Sequence, residues 1–280
     1  MKEKIMKGIF AASACLSIIA VACICIFLFS NGIPTIFKIG VFDFLGGTTW
    51  APGQNIYGIL PMIIGSIYVT GLCLIIGAPL ALLCAIYIVY FCPKKFKKWI
   101  QSAIDLMAGI PSIVYGFFGL VVIVPIMQKI FGTNGKGVLT ASILLAIMIL
   151  PTIISVTESN LEQVPKEYYE GALALGTSHE KSVFKVCVPA ARSGILAGTV
   201  LGLGRAIGET MAVMMVAGNS AVIPNSILSG VKTLTTNIMM EMGYATDLHR
   251  EALIATAVVL FVFILIINLV LNRIERKGQK

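Results

Sequence analysis

The chain has 280 residues, of which 58% are hydrophobic and 12% charged, with a net charge of +8 and a mean hydropathy of +0.94. Soluble domains carry about twice that charged fraction, which excludes an ordinary soluble globule. The apolar runs are too long for the strands of a membrane β-barrel. The basic residues lie in short clusters beside these runs, which argues against a nucleic-acid-binding surface and indicates a helical membrane protein.

Six apolar runs are each near or above the roughly 20 residues that a transmembrane helix needs. They predict an all-α, polytopic membrane protein that forms one transmembrane domain over residues 1–280. The second run contains Pro79 and is long enough to tilt or to begin at the membrane interface. The predicted spans cover approximately residues 8–30, 59–91, 102–127, 138–157, 193–217 and 250–272.

The lysines and arginines predict the orientation of the spans. Fifteen of the 21 lie at the two ends of the chain and in the loops after the second and fourth spans, against five in the other loops. The last one, Arg205, falls inside the fifth span. Because basic residues concentrate on the cytoplasmic side, both termini and loop 158–192 are predicted to be cytoplasmic.

This cytoplasmic loop has the signals of two short helices. Pro165 can open the first, and Gly176 can end it in the left-handed conformation. Thr177 and Glu180 have the spacing of a capping box for the second helix, which Pro189 ends. Two interpretations remain open: an amphipathic helix pair on the lipid surface, or a docking element for a cytoplasmic partner.

The sequence of the loop resembles the EAA loop of ABC-importer permeases. The resemblance rests on Glu170-Gly171-Ala172, then Gly176, and Pro189 thirteen residues later. It implies that the first helix enters a groove on an ATPase subunit and transmits closure of the ATP sites. Gly171 replaces the usual middle alanine, which lowers helix propensity by up to about 1 kcal/mol.

Other stretches resemble the phosphate-specific ABC transporter permeases. The ending "GETMAVMMVAGN" and the later "KTLTTNIMMEMG" are similar to the PstC-type subunit rather than to its PstA-type partner. The resemblance covers most of the chain from about residue 45. The stretches that carry it are residues 57–66, 106–120, 147–153, 202–219 and 232–243.

A charged pair, Arg205 and Glu209, lies inside the apolar fifth span. At 100° per residue both fall on one arc of about 80° together with three glycines at four-residue spacing, Gly194, Gly198 and Gly202. Small residues at this spacing let another helix approach closely, so the pair is predicted to point into protein or a cavity. The two charges are one helical turn apart, close enough to bond each other.

Two interpretations of the pair compete. In the first, Arg205 and Glu209 form a neutral clamp that fixes helix packing. In the second, which the resemblance favours, the guanidinium binds phosphate oxygens in transit, and Glu209 holds it when no substrate is present, because a bare buried cation is costly. Both residues would then line the translocation pathway.

Pro111 interrupts the predicted third span. It is either a packing kink or a hinge or gate, in which case Ser112 and Tyr115 offer polar groups to the pathway. His179 and His249 are predicted on opposite sides of the membrane, and the seven cysteines have neither metal-ligand nor disulfide spacing. We therefore expect no metal and no bound cofactor.

The motifs of the chain distinguish three classes of function. The chain lacks HExxH, GxSxG and P-loop motifs, which argues against an intramembrane enzyme or an ATPase. A regulatory or anchoring membrane subunit remains an alternative, although a buried charged pair argues against a mere anchor. A permease for another oxyanion is the nearest rival to phosphate.

The resemblance implies a six-span permease subunit of an ATP-driven phosphate importer, with the type I (MetI-like) fold, in a bacterial inner membrane. It implies a heterodimer with a PstA-type permease, two PstB-type cytoplasmic ATPase subunits and a PstS-type extracytoplasmic phosphate-binding protein. ATP hydrolysis is expected in the separate subunit, and no nucleic acid is expected as a partner. The external loop 218–249 is a candidate contact for the binding protein.

Overall fold

The computed structural model describes residues 2–278, with the side chains of residues 6–270 and 273. It is almost entirely helical apart from a small β-hairpin, β1 (Trp50–Ala51) and β2 (Ile56–Tyr57). The helices are α1 (Lys2–Ile39), α2 (Val41–Gly46), α3 (Leu60–Ile86), α4 (Lys94–Gly109), α5 (Ser112–Phe118), α6 (Val124–Phe131), α7 (Val138–Glu162), α8 (Lys166–Ala174), α9 (His179–Ser182), α10 (Val188–Ala190), α11 (Arg192–Gly208), α12 (Met211–Val216), α13 (Leu234–Glu241) and α14 (Asp247–Gly278).

Five helices in the described part of the chain are long and apolar enough to cross a membrane. A sixth span results if the segment His179–Ala190 and α11, which meet at a bend of 69°, are counted together. Short π-helical turns extend α3 to Phe91 and join α5 to α6. The polytopic, all-helical architecture predicted from the apolar runs is therefore confirmed.

Helix α7 is the centre of the bundle and packs against α3 and α11. In its most apolar 18-residue stretch, 67% of the residues are buried. In the corresponding stretch of α1 none are buried, so α1 lies at the periphery. The fully buried side chains of α7 belong to one continuous core cluster. The largest are Leu144, Leu145, Met148, Ile149 and Ile153.

The glycine stripe of α11 lies directly against α7, as its spacing predicted. A Cβ added at Gly194 would lie 1.9 Å from Cγ of Asn160, and one at Gly202 would lie 2.6 Å from Cγ1 of Ile153. Gly198 is the third contact, with Val156 Cβ 3.2 Å away from the added atom. The predicted close approach of a neighbouring helix is confirmed.

Gly194→Ala is expected to destabilise the protein by about 1–3 kcal/mol, the usual cost of forcing an extra carbon into a packed interface. The Asn160 side chain cannot easily yield, because its Nδ2 donates to the Val156 carbonyl at 2.7 Å. Gly204→Ala on the same helix is the matched control, because an added Cβ there meets nothing within 4 Å. Thermal unfolding of the detergent-solubilised variants checks this, and equal midpoints would contradict it.

The predicted third span, residues 102–127, is wrong as a single helix. Helix α4 ends at Gly109, and the membrane-length helix runs from Ser112 to Phe131. Between them Ile110 and Pro111 are extended, with ψ of 126° and 142°. Proline has no N–H to donate and pushes the preceding residue away from the helical region, so the chain breaks here rather than merely bending.

The predicted fifth span, residues 193–217, is also broken. Helix α11 ends at Gly208, Glu209 is extended with ψ of 130°, and α12 starts at Met211. Non-helical backbone at membrane depth is tolerated where it is buried in protein or lines a cavity. The break falls within the segment that carries the charged residues.

A polar cluster lies at the end of the bundle where α3 begins. The buried Glu241 carboxylate accepts a hydrogen bond from Trp50 Nε1 at 2.8 Å and contacts His249 Nε2 at 2.8 Å. The Lys232 ammonium, also buried, donates to the other carboxylate oxygen. This cluster joins the hairpin, the loop before α13, and α14.

Candidate functional site

Arg205 lies in the last turn of α11 and reaches across to α7. Its Nη1 donates to the Thr152 hydroxyl at 3.1 Å, and both side chains are half-buried. Thr152 lies close to the middle of α7, 14 residues after Val138. A helix of this length is roughly as long as the bilayer core is thick, so the contact lies near mid-depth.

Glu209 does not pair with Arg205, and the prediction that they bond each other is wrong. Its carboxylate Oε1 accepts the backbone N–H groups of Thr210 and Ala212, both at 3.1 Å. No ion pair within 4.0 Å joins it to the guanidinium. The physical reason is that the helix ends before Glu209, so the one-turn spacing that pairs side chains is lost and the carboxylate caps the next helix instead.

Glu209 is therefore expected to act through its acceptor oxygen rather than through charge opposite Arg205. Glu209→Gln keeps an oxygen for the two amides and should cost less than about 1 kcal/mol, whereas Glu209→Ala leaves both amides unpaired and should cost about 1–3 kcal/mol. Unfolding midpoints of the two variants measure the difference. If both substitutions lowered the unfolding midpoint equally, the charge of Glu209 rather than its acceptor oxygen would be responsible for the stabilisation.

The break between α4 and α5 lies beside the same region. Tyr115 is 7% exposed, and its hydroxyl donates to the Met107 carbonyl at 2.9 Å, which links the two helices across Pro111. Tyr115 also lies close enough to Arg205 to interact electrostatically. Ser112, half-buried, is the first residue of α5. The structure thus brings Tyr115 near Arg205, with Pro111 at the break.

The two broken helices pack on each other. A Cβ added at Gly116 of α5 would lie 3.0 Å from Cα of Ala212 in α12. The start of α13 closes the group, because Thr235 Oγ1 donates to the Glu209 carbonyl at 3.1 Å and Ser66 of α3 accepts the Leu234 N–H at 3.0 Å. Irregular backbone and polar side chains therefore concentrate at the break between α11 and α12, which begins four residues after Arg205.

The predicted coupling loop forms two short helices. Helix α8 starts right after Pro165, and Gly176 has φ of 81°, the left-handed stop that was predicted. The predicted capping box is wrong, since Ser178 caps the second helix through the Lys181 N–H. The Thr177 hydroxyl instead donates to the Ala172 carbonyl at 2.7 Å and so closes the turn.

Aromatic contacts attach this loop to the end of α3. The Tyr169 hydroxyl lies 2.7 Å from Nδ1 of His179 and joins the loop's two helices. The His179 ring packs edge-on against Phe91 with centroids 4.6 Å apart, and Tyr169 lies beside Tyr90 at 6.3 Å. These rings therefore connect the loop with the end of α3.

Large apolar side chains of the loop are exposed beside charged ones. Leu175 is 87% exposed, and Tyr168 and Phe184 are about half exposed. Glu170 and Gly171 are exposed on the same helix, whereas Ala172 is buried. Pro189 lies in α10, one residue before the helix ends and the chain turns into α11. Such an unpartnered apolar surface is typical of a protein interaction site.

In the part of the chain that the structure describes, no three histidine, cysteine, aspartate or glutamate side chains are close enough to hold a metal ion. His179 and His249 lie in the two separate clusters described above, at opposite ends of α3.

Sequence reasoning missed Thr152. It is preceded by Pro151 within the apolar run "LLAIMILPTII" and is the single hydroxyl residue in that run. A hydroxyl group at mid-span is a recognisable signal, because polar groups inside a membrane form hydrogen bonds with neighbouring helices. The sequence therefore marks residue 152 as a polar group that needs a partner, without saying which residue that partner is.

Solved structures with a similar fold include ABC importers. A chain of the MetNI methionine ABC transporter in an inward-facing conformation aligns with a TM-score of 0.65 at 18% identity, covering 83% of this chain and 100% of that one. A chain of a bacterial ABC transporter involved in the import of the acidic polysaccharide alginate aligns with a TM-score of 0.65 at 16% identity, covering 99% and 100%. These likenesses show the type I importer fold.

Sequence comparisons agree. Residues 77–279 match the family described as binding-protein-dependent transport system inner membrane component. The probable ABC transporter permease protein YqgH of Bacillus subtilis is 40% identical over 95% of this chain and 90% of its own. The phosphate transport system permease protein PstC of Haemophilus influenzae is 35% identical, covering 97% and 92%. The chain belongs to the binding-protein-dependent transport system inner membrane components and, among them, to the permeases of the PstC type.

Proposed function

We propose that the protein is the permease subunit of an ATP-driven inorganic phosphate importer and forms half of its translocation pathway. The observation that carries this proposal is the unpaired Arg205 at mid-depth, in a chain whose relatives include a phosphate transport system permease protein. A charge at that depth costs at least a few kcal/mol. Its retention without a carboxylate partner indicates that an anion passes it.

The guanidinium suits phosphate for a specific reason. It presents donors in a planar fork that matches phosphate oxygens. Since the Glu209 carboxylate is bonded to two backbone amides rather than to the guanidinium, that carboxylate does not use the guanidinium's donors. Ser112, Tyr115 and the hinge at Pro111 are proposed to line the same pathway, because α5 packs beside the break in α11.

Coupling to ATP is proposed to run through the cytoplasmic loop. The exposed apolar face of α8 would dock on an ATPase subunit, with Glu170, Gly171 and Ala172 in the docking helix. Gly176 makes the turn between the two helices of the loop, and Pro189 lies one residue before the chain turns into α11. The rings of Tyr169 and His179 would then transmit closure of the ATP sites to α3. ATP hydrolysis belongs to that separate subunit in this scheme.

The remaining assembly follows from the same proposal. This chain would pair with a PstA-type permease, with two PstB-type ATPase subunits below and a PstS-type binding protein on the other face. Both termini would lie in the cytoplasm of a bacterium, with the inner membrane as the location. Alternating access around a mid-depth site in discontinuous helices is the usual geometry of transporters.

Uptake of radiolabelled phosphate into proteoliposomes that hold the four-component complex tests the function. The expected result is uptake that requires ATP and the binding protein and that excess unlabelled phosphate abolishes. Sulfate and molybdate transport are measured in parallel. Uptake of another oxyanion in place of phosphate would favour the rival substrate, and ATP turnover without any uptake would favour a regulatory subunit.

A further inference from the structure

We propose that the Thr152 hydroxyl is a second ligand of the transported anion and acts together with Arg205. This inference rests on the proposed function and adds a substrate-contacting residue on α7 to the pathway. The 3.1 Å bond from Arg205 Nη1 fixes the hydroxyl oxygen beside the guanidinium. An anion bound by the remaining guanidinium donors therefore lies within reach of Thr152.

The hydrogen of this hydroxyl is uncommitted in the described part of the chain. Serine and threonine inside helices commonly donate to the carbonyl one turn back. Ser142, Thr199 and Thr256 all do so, at 2.7, 2.9 and 2.8 Å. Thr152 makes no such bond there, and its recorded hydrogen bond is the one in which its oxygen accepts from Arg205. Its O–H is left to donate to a third group.

The surroundings of Thr152 leave few competitors for that donor. The neighbouring Pro151 and Ile153 are buried, whereas Thr152 itself is half-buried on the side that faces Arg205. Glu209, the acidic residue that follows α11, uses its Oε1 to accept two backbone amides, and no bond joins it to Thr152 among the described residues. A free donor beside a cation suits an anion.

The chemistry also bears on selectivity. A hydroxyl can donate one hydrogen bond and accept two. Thr152 can therefore donate a hydrogen bond to one phosphate oxygen and, besides the bond from Arg205, accept one from the P–OH of a protonated phosphate. Sulfate at neutral pH has no proton to offer. The guanidinium supplies charge but no acceptor, and Thr152 therefore gives this part of the pathway its means of recognising a protonated oxyanion.

Three variants of the assembled complex test the proposal. Thr152→Val removes the hydroxyl at nearly constant shape, and Thr152→Ser restores it. Thr157→Val is the matched control on the same helix, because the Thr157 hydroxyl is fully buried and has no hydrogen-bond partner among the described residues. Phosphate uptake and binding-protein-stimulated ATP turnover are recorded for each variant.

Thr152→Val is expected to lower phosphate uptake about tenfold, the scale of losing one hydrogen bond to a charged group, with ATP turnover within about twofold of wild type. Thr152→Ser should recover most of the uptake, and Thr157→Val should match wild type. Normal uptake by Thr152→Val, or equal loss in the Ser variant, would overturn the assignment. A wild-type complex that takes up no phosphate would instead refute the proposed function.

Discussion

Arg205→Gln is expected to reduce phosphate uptake by the reconstituted complex at least roughly 30-fold, while the binding protein still stimulates ATP turnover. Removing a charged partner from a desolvated anion costs about 2 kcal/mol or more, and 1.36 kcal/mol is a factor of ten in rate. Glutamine retains a polar end that can still bond Thr152. Helix packing therefore survives while the charge is lost.

Two other arginine changes sharpen this test. Arg192→Gln removes an exposed charge at the start of the same helix and should leave uptake within about twofold, because an exposed charge contributes little. Arg205→Lys keeps the charge but not the planar fork, so an intermediate rate is expected. Radiolabelled phosphate uptake and ATP turnover are measured on the same vesicles.

The packing-clamp interpretation predicts a different pattern. If Arg205 only held α11 against α7, its loss would lower the thermal stability of the complex and leave the transport rate of the folded fraction unchanged. Wild-type uptake by Arg205→Gln, at normal membrane insertion, would therefore contradict the transport role. The anion pathway would then have to lie elsewhere in the bundle.

The features predicted from the sequence are those that depend on local pattern. Long apolar runs predict transmembrane helices, because a helix satisfies all of its backbone hydrogen bonds internally within the bilayer. The glycines at positions 194, 198 and 202 predict close helix contact because their spacing matches one helix face. Gly176 predicts the end of α8 because a left-handed stop favours glycine.

The features that sequence reasoning missed depend on contacts between distant segments. The apolar pattern continues past Glu209, so the sequence does not predict the break between α11 and α12. The structure shows it, because the Glu209 carboxylate accepts the N–H groups of Thr210 and Ala212. Thr152 is 53 residues from Arg205, and a single sequence does not pair them. The cap at Ser178 rather than Thr177 is a one-residue shift that competing local hydrogen bonds decide.

The second large effect is expected at the opposite end of the bundle from the coupling loop, where Glu241→Ala should destabilise the protein by about 3–5 kcal/mol. Removing one partner of a buried ion pair leaves the other charge uncompensated, and Lys232 is only 6% exposed. The hydrogen bond from Trp50 is lost as well. For a chain of this size, the thermal midpoint should fall by roughly 6 to 20 °C.

Glu251→Ala is the matched control at the same end of the molecule. Glu251 pairs with Lys38 at 3.3 Å, but these side chains are 46% and 61% exposed, and such surface pairs contribute about 0–1 kcal/mol. A double replacement of Lys232 and Glu241 by apolar residues of similar volume should recover much of the loss, because no charge is then left unpaired. Equal midpoints for the Glu241 and Glu251 variants would contradict the assigned role of the cluster.

The same cluster predicts how stability depends on pH. Burial raises the pKa of Glu241, but hydrogen bonds from Lys232 and Trp50 outweigh it, so the pKa lies below its ordinary value of 4.5. A carboxyl group whose pKa is lower in the folded state stabilises the fold fully at any pH above its pKa in the unfolded state. This contribution is lost as the pH falls through its pKa in the folded state. The difference in midpoint between wild type and Glu241→Gln should therefore be constant from pH 7 to about 5 and shrink below about pH 4. Parallel midpoint curves down to pH 3 would show that the carboxylate does not carry this stabilisation.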